Sequence, residues 1–192
     1  MKTTNIMIVG VGGQGSLLAS KLLGRLLVDA GYDVKVSEVH GMSQRGGSVV
    51  TYVRFGEKVY SPIIDKGEAD FIVSFEKLEA VRYASYLKKG GKIIVNAQEI
   101  DPMPVITGAA QYPEGIIEEL QKYADVISLD ALSLAEAAGS AKAVNVILIG
   151  VLAGSTEIPH DDWVETIKAT VPPKFLEINL KAFEAGYALS KK

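Results

Sequence analysis

The sequence predicts an α/β fold in which a mainly parallel sheet lies between two layers of helices. Three observations support this prediction. Short β-rich runs alternate with amphipathic helical runs, and a glycine-rich loop joins the first strand to the first helix. In addition, 48% of the 192 residues are apolar, which is enough for a sizeable core. We expect residues 1–192 to form one domain.

The first strand–helix–strand unit has the clearest pattern. A strand over Asn5–Val9 leads into a helix predicted over Gln14–Ala30, and Gly31 ends that helix because glycine often follows the last helical turn. A second strand is predicted over Asp33–Glu38. The residues expected to face the sheet repeat at helical spacing and are Leu17, Leu18, Leu22, Leu23, Leu26 and Leu27.

The pattern then changes to two successive β-rich runs. Ser48–Phe55 and Lys58–Ile64 are separated only by Gly56 and Glu57, a spacing typical of a β-hairpin. We therefore predict a hairpin inserted into the parallel sheet at this point.

The rest of the chain resumes the alternation and then becomes helical. The predicted strands are Asp70–Ser74, Lys92–Asn96 and Asp125–Leu129, with a stop at residues 88–91 before the second of them. The predicted helices are Glu76–Leu87, Pro113–Tyr123, Ala131–Ala138, Val144–Ala153, His160–Thr170 and Pro173–Ser190. Residues 144–153 are apolar on all sides, so we expect this helix to be buried and Asn145 to cap its start.

The composition excludes several kinds of chemistry. The 20 basic and 23 acidic residues give a net charge of −3 without a basic stripe, so no nucleic-acid partner is expected. Cysteine is absent, which excludes thiolate nucleophiles and ordinary iron–sulfur ligands. His40 and His160 are the only histidines, and no metal site is expected. Without a signal segment or a run of ~20 apolar residues, we expect a cytoplasmic protein that does not enter a membrane.

The first glycine-rich loop has the Gly-x-Gly-x-x-Gly spacing of Rossmann-like dinucleotide-binding folds. Such glycines permit a tight turn and close approach of a ligand, while the following helix N-terminus suits a phosphate. An acid that ends the second strand binds the ribose of NAD(P) in such folds. Glycines also serve simply to turn the chain, so cofactor binding and a structural role both stay open. The candidate cofactor-binding residues are Gly10, Gly12, Gly13, Gln14, Gly15 and Glu38.

A second glycine-rich loop follows the second predicted strand, where an open α/β sheet places its binding sites. Arg45 offers a forked donor to a carboxylate or phosphate, and the two glycines after it permit close approach of another chain or a cofactor. A polar surface loop with its arginine paired inside this chain is the alternative. The candidate residues for substrate or coenzyme A contact, or for a subunit interface, are His40, Ser43, Gln44, Arg45, Gly46 and Gly47.

Several motifs in a fixed order resemble the gamma-type domain of 2-oxoacid:ferredoxin oxidoreductases. Within that family, residues 37–47 most resemble the small (beta) subunit of the indolepyruvate type. The resemblance covers nearly the whole chain. Its motifs are Gly12-Gly13-Gln14-Gly15, Ser43-Gln44-Arg45-Gly46-Gly47, Tyr60-Ser61-Pro62, Glu68-Ala69-Asp70, Lys89-Gly90-Gly91, Ile94-Val95-Asn96 and Ala143-Val144-Asn145-Val146-Ile147-Leu148-Ile149-Gly150.

This resemblance implies a subunit of an enzyme that decarboxylates a 2-oxoacid, here an aryl pyruvate such as indolepyruvate. The implied complex uses thiamine diphosphate with Mg²⁺, passes electrons through [4Fe-4S] clusters to ferredoxin, and releases an acyl-coenzyme A. It implies two large and two small subunits. This chain has no cysteine and no Gly-Asp-Gly followed by a distant Asn, so both cofactor centres are expected on the large subunit.

The sequence therefore leads to one favoured interpretation and two alternatives. We expect a small subunit whose two glycine loops contact the large subunit over its active site, with catalytic residues unassigned. The first alternative is a stand-alone NAD(P)-binding oxidoreductase, which would bind the nucleotide and transfer hydride without a partner. The second is a non-catalytic nucleotide-binding module, since fold alone does not define function.

Overall fold

The computed structural model describes residues 3–41 and 46–190. Within them, six strands form one sheet: β1 Thr4–Val11, β2 Asp33–His40, β3 Ser48–Gly56, β4 Ala69–Ser74, β5 Leu87–Asn96 and β6 Asp125–Leu129. The helices are α1 Ser16–Asp29, α2 Lys77–Tyr83, α3 Met103–Ile106, α4 Ile116–Gln121, α5 Ala131–Ala138, α6 Val144–Gly154, α7 His160–Thr170 and α8 Leu176–Leu189. Short 3₁₀ turns occupy Ala84–Tyr86, Ala141–Ala143 and Pro173–Phe175.

The sheet has the order β2-β3-β1-β4-β5-β6. Strands β1, β4, β5 and β6 run parallel to one another. Strand β3 is antiparallel to both of its neighbours, β1 and β2. The predicted α/β class with a mainly parallel sheet and a helical C-terminus is confirmed.

The predicted hairpin was wrong in its second strand. β3 pairs along its length with β2, from Asp33 opposite Gly56 to His40 opposite Val49. Residues 58–64 form no strand, and Pro62 among them has no N–H to donate to a ladder. The antiparallel insertion in the sheet therefore consists of β3 and its pairing with β2.

The region between β4 and β5 also differs from the prediction. The helix predicted over Glu76–Leu87 ends at Tyr83 and gives way to a 3₁₀ turn, and β5 begins at Leu87 rather than at Lys92. The predicted stop at residues 88–91 lies inside β5, where the pairing with β4 is irregular. A Cβ on Gly91 would lie 3.0 Å from the carbonyl oxygen of Ala69, so glycine permits the two strands to approach at this irregularity.

The core lies on both faces of the sheet. One face is covered by α1 and the C-terminal helices, and the other by α2 and α4. Four of the six leucines predicted to face inward are buried: Leu22, Leu23, Leu26 and Leu27. Leu17 and Leu18 are instead 50% and 36% exposed, because the first turn of α1 borders two surface grooves.

The C-terminal helices confirm the prediction of a buried apolar helix. Residues 145–153 of α6 are all buried, and α8 packs on α6 at very short range. A Cβ on Gly186 of α8 would lie 2.0 Å from the carbonyl oxygen of Ile147, which is closer than any real Cβ contact. Among the described residues, no helix is long and apolar enough to span a bilayer.

Asn145 was predicted to cap α6, and this prediction was wrong. The residue that precedes α6 is Ala143, whereas Asn145 lies in the first turn and is buried. Its amide nitrogen lies 3.4 Å from the carbonyl oxygen of Gly15, and its amide oxygen accepts from the N–H of Val146 at 2.9 Å. Asn145 therefore links α6 to the first glycine loop.

Candidate functional site

The two glycine-rich loops lie side by side at the carboxyl end of β1. The N–H of Gly12 donates to the carbonyl oxygen of Gly47 at 2.9 Å, and the N–H of Gly46 donates to the carbonyl oxygen of Gly12 at 3.3 Å. These two hydrogen bonds extend the contact between the chain segments beyond Val11 and Ser48, which face each other in the sheet. The loops therefore form one continuous backbone surface.

Gln14 fills the crevice between β1 and β4, where the order of the sheet reverses direction. Its amide oxygen accepts from the N–H of Val11 at 2.7 Å, and its amide nitrogen donates to the carbonyl oxygen of Phe75 at 3.0 Å. The same nitrogen lies 3.3 Å from the side-chain oxygen of Gln98. Ligands of open α/β sheets bind in such a crevice, but here a side chain of the protein occupies it.

Gly10 makes this packing possible. A Cβ at position 10 would lie 2.9 Å from both the Gln14 amide oxygen and the Phe75 Cβ. The first glycine of the motif therefore makes room for Gln14 as well as for the turn.

The N-terminus of α1 opens onto a surface cavity of about 360 Å³. Gly15 begins the helix with φ of 90°, and the helix has neither a side-chain cap nor an acidic residue in its first turn. The cavity is lined by Gly12, Gly13, Gly15, Ser16, Leu17, Glu38, His40 and Val49.

Glu38 does not stand where a dinucleotide-binding acid stands. β3 lies between β1 and β2, so Glu38 is two strands away from the glycine loop, or roughly 10 Å at the usual strand spacing. The Thr51 hydroxyl donates to the Glu38 carboxylate at 3.4 Å. His40 is exposed, with a ring nitrogen 2.9 Å from the carbonyl oxygen of Gly41.

The structure therefore describes only some of the residues predicted to form the site. Gly10, Gly12, Gly13, Gln14, Gly15, Gly46 and Gly47 come together, and Glu38 and His40 line the same cavity. Ser43, Gln44 and Arg45 lie outside the described residues.

Two buried acids beside the second loop were not predicted as site residues. Glu79 is 4% exposed and accepts hydrogen bonds from the Arg82 guanidinium at 3.0 Å and from the Ser48 hydroxyl. Ser48 directly follows the second glycine loop. Glu79 therefore ties this loop to α2.

Glu76 is 1% exposed and holds three segments together. Its carboxylate accepts from the N–H of Glu79 at 2.9 Å, from the N–H of Ile100 at 3.2 Å and from the Tyr112 hydroxyl. Burial, followed by the hydrogen bond to Glu76, raises the pKa of Tyr112 well above its usual range, so this hydroxyl stays a donor. An acid two residues after a strand was the available sequence signal, but Ile100 and Tyr112 are distant from it in the chain.

Asn96 completes the polar edge at the end of β5. Its amide nitrogen donates to the carbonyl oxygen of Phe75 at 3.2 Å, and its amide oxygen accepts from the N–H of Ala131 at 3.1 Å. These bonds hold the ends of β4 and β5 to the start of α5. Across residues 3–41 and 46–190, no group of three or more His, Asp or Glu side chains is placed to bind a metal ion.

Solved structures share this fold. The gamma subunit of keto/oxoacid ferredoxin oxidoreductase from Geobacter sulfurreducens aligns over 98% of each chain with a TM-score of 0.74 and 20% identity. A 2-oxoglutarate:ferredoxin oxidoreductase from Magnetococcus marinus aligns with all of this chain and with 31% of its own, with a TM-score of 0.76 and 19% identity. At this identity the likeness establishes the fold: that of the gamma subunit, found both as a separate chain and within a longer one.

Comparison of sequences identifies the family to which the chain belongs. It belongs to the pyruvate ferredoxin/flavodoxin oxidoreductase family, whose sequence pattern matches residues 5–189. It is 46% identical to the indolepyruvate oxidoreductase subunit IorB of Thermococcus kodakarensis, over all of this chain and 98% of that subunit. The resemblance inferred from the motifs is confirmed.

Proposed function

We propose that this chain is the small subunit of a ferredoxin-dependent 2-oxoacid oxidoreductase that acts on indolepyruvate or other aryl pyruvates. The observation that carries the proposal is the 46% identity to an indolepyruvate oxidoreductase subunit along almost the full length of both chains. The joined glycine loops support it, because they present a polar backbone surface rather than an enclosed pocket. We also propose that residues 1–192 form one gamma-type domain.

The chemical centres of the complex do not fit this chain. No cysteine is available to ligate an iron–sulfur cluster, and the described residues place no acidic or histidine cluster for Mg²⁺. We therefore place thiamine diphosphate, Mg²⁺ and the [4Fe-4S] clusters on a large partner subunit, with coenzyme A as co-substrate and ferredoxin as electron acceptor. Two large and two small subunits, assembled in the cytoplasm, are the proposed arrangement.

In this proposal the carboxyl edge of the sheet meets the large subunit. Gly46 and Gly47 are held against Gly12 by backbone hydrogen bonds, and Glu79 holds Ser48 at the end of the same loop. These contacts hold Gly46, Gly47 and Ser48, the described residues that follow Arg45 in the chain, at the carboxyl edge. We propose that His40, Ser43, Gln44 and Arg45 contact the large subunit, its substrate or coenzyme A.

A stand-alone NAD(P) enzyme receives less support from the geometry. Gln14 occupies the crevice at the reversal of strand order, and the N–H of Gly12 is already bonded to Gly47. Gln14 and Gly47 thereby take two contacts on which dinucleotide binding depends. Strand β3 also separates the strand of Glu38 from β1, although Glu38 lines the same cavity as the glycine loop.

Anaerobic reconstitution with the large subunit tests the proposal. The expected result is coenzyme A-dependent oxidation of indolepyruvate, coupled to ferredoxin reduction, only when both chains are present. Comparison with phenylpyruvate and pyruvate defines the substrate class. If the pair assembles without oxidising any 2-oxoacid, or this chain alone transfers hydride to NAD(P)⁺, the proposed function is wrong.

The Arg45→Ala variant tests the role of the loop, and Arg25→Ala is the matched control. Arg25 is exposed on α1 and paired with Asp29 one helical turn away, so its loss removes a surface arginine elsewhere. We expect Arg45→Ala to weaken assembly or turnover about tenfold or more, as loss of a charged interface anchor does. Equal behaviour of the two variants would exclude the proposed role of Arg45.

A further inference from the structure

The segment of residues 97–115, here called the 97–115 arm, connects β5 to α4 at the carboxyl edge of the sheet. None of its residues is buried. Its one helix, α3, has four residues and packs at most marginally against other helices or strands of the described chain. The arm therefore contributes little to the core.

Apolar side chains stand at the tip of the arm. Met103 and Ile106 are each 65% exposed, although both are large and apolar. A helix this short has little stability of its own, because helix nucleation is unfavourable. Clustered exposed apolar groups on an ordered segment indicate a surface that another molecule covers.

Hydrogen bonds to the buried carboxylate of Glu76 fix both roots of the arm. The carboxylate of Glu76 accepts from the N–H of Ile100 at one root and from the Tyr112 hydroxyl at the other. The carbonyl oxygen of Gln98 accepts from the N–H of Lys77 at 3.1 Å. A buried carboxylate that binds both roots limits how far the exposed tip can move.

The arm adjoins the glycine loops. Asp101 and Pro102 line a cleft of about 60 Å³ together with Gly46 and Ser48 of the second loop region. The tip and the loops therefore belong to one continuous surface at the carboxyl edge.

The surroundings of the tip indicate the chemistry of its partner. The exposed acids Asp101 and Glu114 flank it in the sequence, whereas Glu99 is paired with Lys77, so the complementary surface is apolar with a basic rim. The same fold occupies only 31% of the longer Magnetococcus marinus chain, so it also occurs covalently joined to further protein.

We propose that the apolar tip of the 97–115 arm inserts into an apolar pocket with a basic rim on the large subunit. This inference rests on the proposed function, because that function supplies the large subunit. It adds a second anchor of assembly, built from Met103 and Ile106, beside the glycine loops. Glu76 and Tyr112 act as positioning residues for this anchor.

The test compares how two double variants bind the large subunit, each with two exposed large side chains replaced by serine. Met103→Ser with Ile106→Ser alters the tip, and Val28→Ser with Tyr123→Ser alters two residues that are 58% and 80% exposed at the opposite edge. We expect the tip variant to bind about tenfold or more weakly by sedimentation, and the control to bind like wild type. Thermal melting of each free chain should stay unchanged.

A root variant and hydrogen exchange give independent readouts. Tyr112→Phe removes one donor to Glu76 and leaves the tip intact, so we expect a smaller loss of affinity, about threefold. In the wild-type complex, the amides of Met103 and of residues 105–107 should gain protection beyond that of the free chain.

Each outcome decides a separate point. If the tip variant binds like wild type and the arm amides gain no protection, the arm proposal is wrong while the proposed function stands. If wild type itself does not bind the large subunit, both proposals fall together.

Discussion

Glycines serve opposite purposes at two places in this molecule. Between α6 and α8, Gly150 and Gly186 have ordinary helical backbone and allow the helices to touch: a Cβ on Gly150 would lie 2.3 Å from the carbonyl oxygen of Phe183. In the first loop, Gly13 has φ of 102°, and no described atom lies within 4 Å of its would-be Cβ. The helix pair uses glycine for space, whereas the loop uses it for conformation.

The two regions also differ in how they are held. The contact between α6 and α8 is apolar, and residues 145–153 are all buried. The carboxyl edge is held by hydrogen bonds that the side chains of Gln14, Glu76 and Glu79 accept and that the Asn96 amide donates. Packing in the first region and polar contacts in the second predict different responses to substitution.

The largest effect is expected in the helix pair. Gly186→Ala places a methyl group against the rigid backbone of Ile147, so we expect it to lower the free energy of unfolding by about 3 kcal/mol or more. Gly24→Ala in α1 is the control, because its Cβ would meet only a Val36 methyl at 3.8 Å. The control should stabilise by about 0.5–1 kcal/mol, since alanine favours helix over glycine. Urea denaturation measures the free energy of unfolding of both variants. If both substitutions destabilise the protein, or both stabilise it, the predicted difference between Gly186 and Gly24 is wrong.

Gln14→Ala tests the polar crevice. Loss of the amide leaves the N–H of Val11 without its side-chain acceptor and leaves the carbonyl oxygen of Phe75 with only the Asn96 amide, at a cost of about 2 kcal/mol. Gln121→Ala, at an exposed position in α4, should change stability little. A comparable loss in both variants would show that the crevice contacts contribute nothing specific.

Gly13→Ala tests conformation without packing. The methyl group meets open space, so only the positive φ opposes it, and we expect a loss of about 1 kcal/mol. The same urea series provides the measurement. If Gly13→Ala lowers the free energy of unfolding as much as Gly186→Ala does, the proposed difference between a glycine needed for conformation and one needed for space is wrong.

The smallest expected effect is the pH dependence of stability that Asp130 confers. Asp130 precedes α5 at the carboxyl edge and accepts from the Ser133 hydroxyl at 2.6 Å and from its N–H at 3.0 Å, which lowers the pKa of Asp130. Its charged form therefore stabilises the fold above about pH 4. This stabilisation is lost as the pH falls through the lowered pKa.

Asp130→Asn keeps a capping oxygen but cannot titrate. We expect wild type to be slightly more stable than this variant at neutral pH, and the difference to shrink below about pH 4. Melting temperatures of both proteins from pH 3 to pH 7 measure it. A difference that stays constant over this range would contradict the assignment.

Parts of the site followed from the sequence. The glycine spacing placed a turn before α1, and the position of Gly46 and Gly47 after β2 placed the second loop at the same edge. The roles of Gln14, Glu76 and Asn145 did not follow. Each of these side chains bonds to residues far away in the chain, such as Phe75, Tyr112 and Gly15, and such partners leave no periodic signal.

The sequence by itself determined the α/β class, most of the helices and strands, the buried character of α6 and the family. These properties depend on local spacing of apolar residues and on ordered motifs, which can be read along the chain. Only the tertiary structure decided that β3 lies between β1 and β2 and that Gln14 occupies the crevice. It also decided that the exposed 97–115 arm is held by hydrogen bonds to the buried carboxylate of Glu76. The physical reason is that strand pairing and buried hydrogen bonds depend on which distant residues meet, and local periodicity does not encode that.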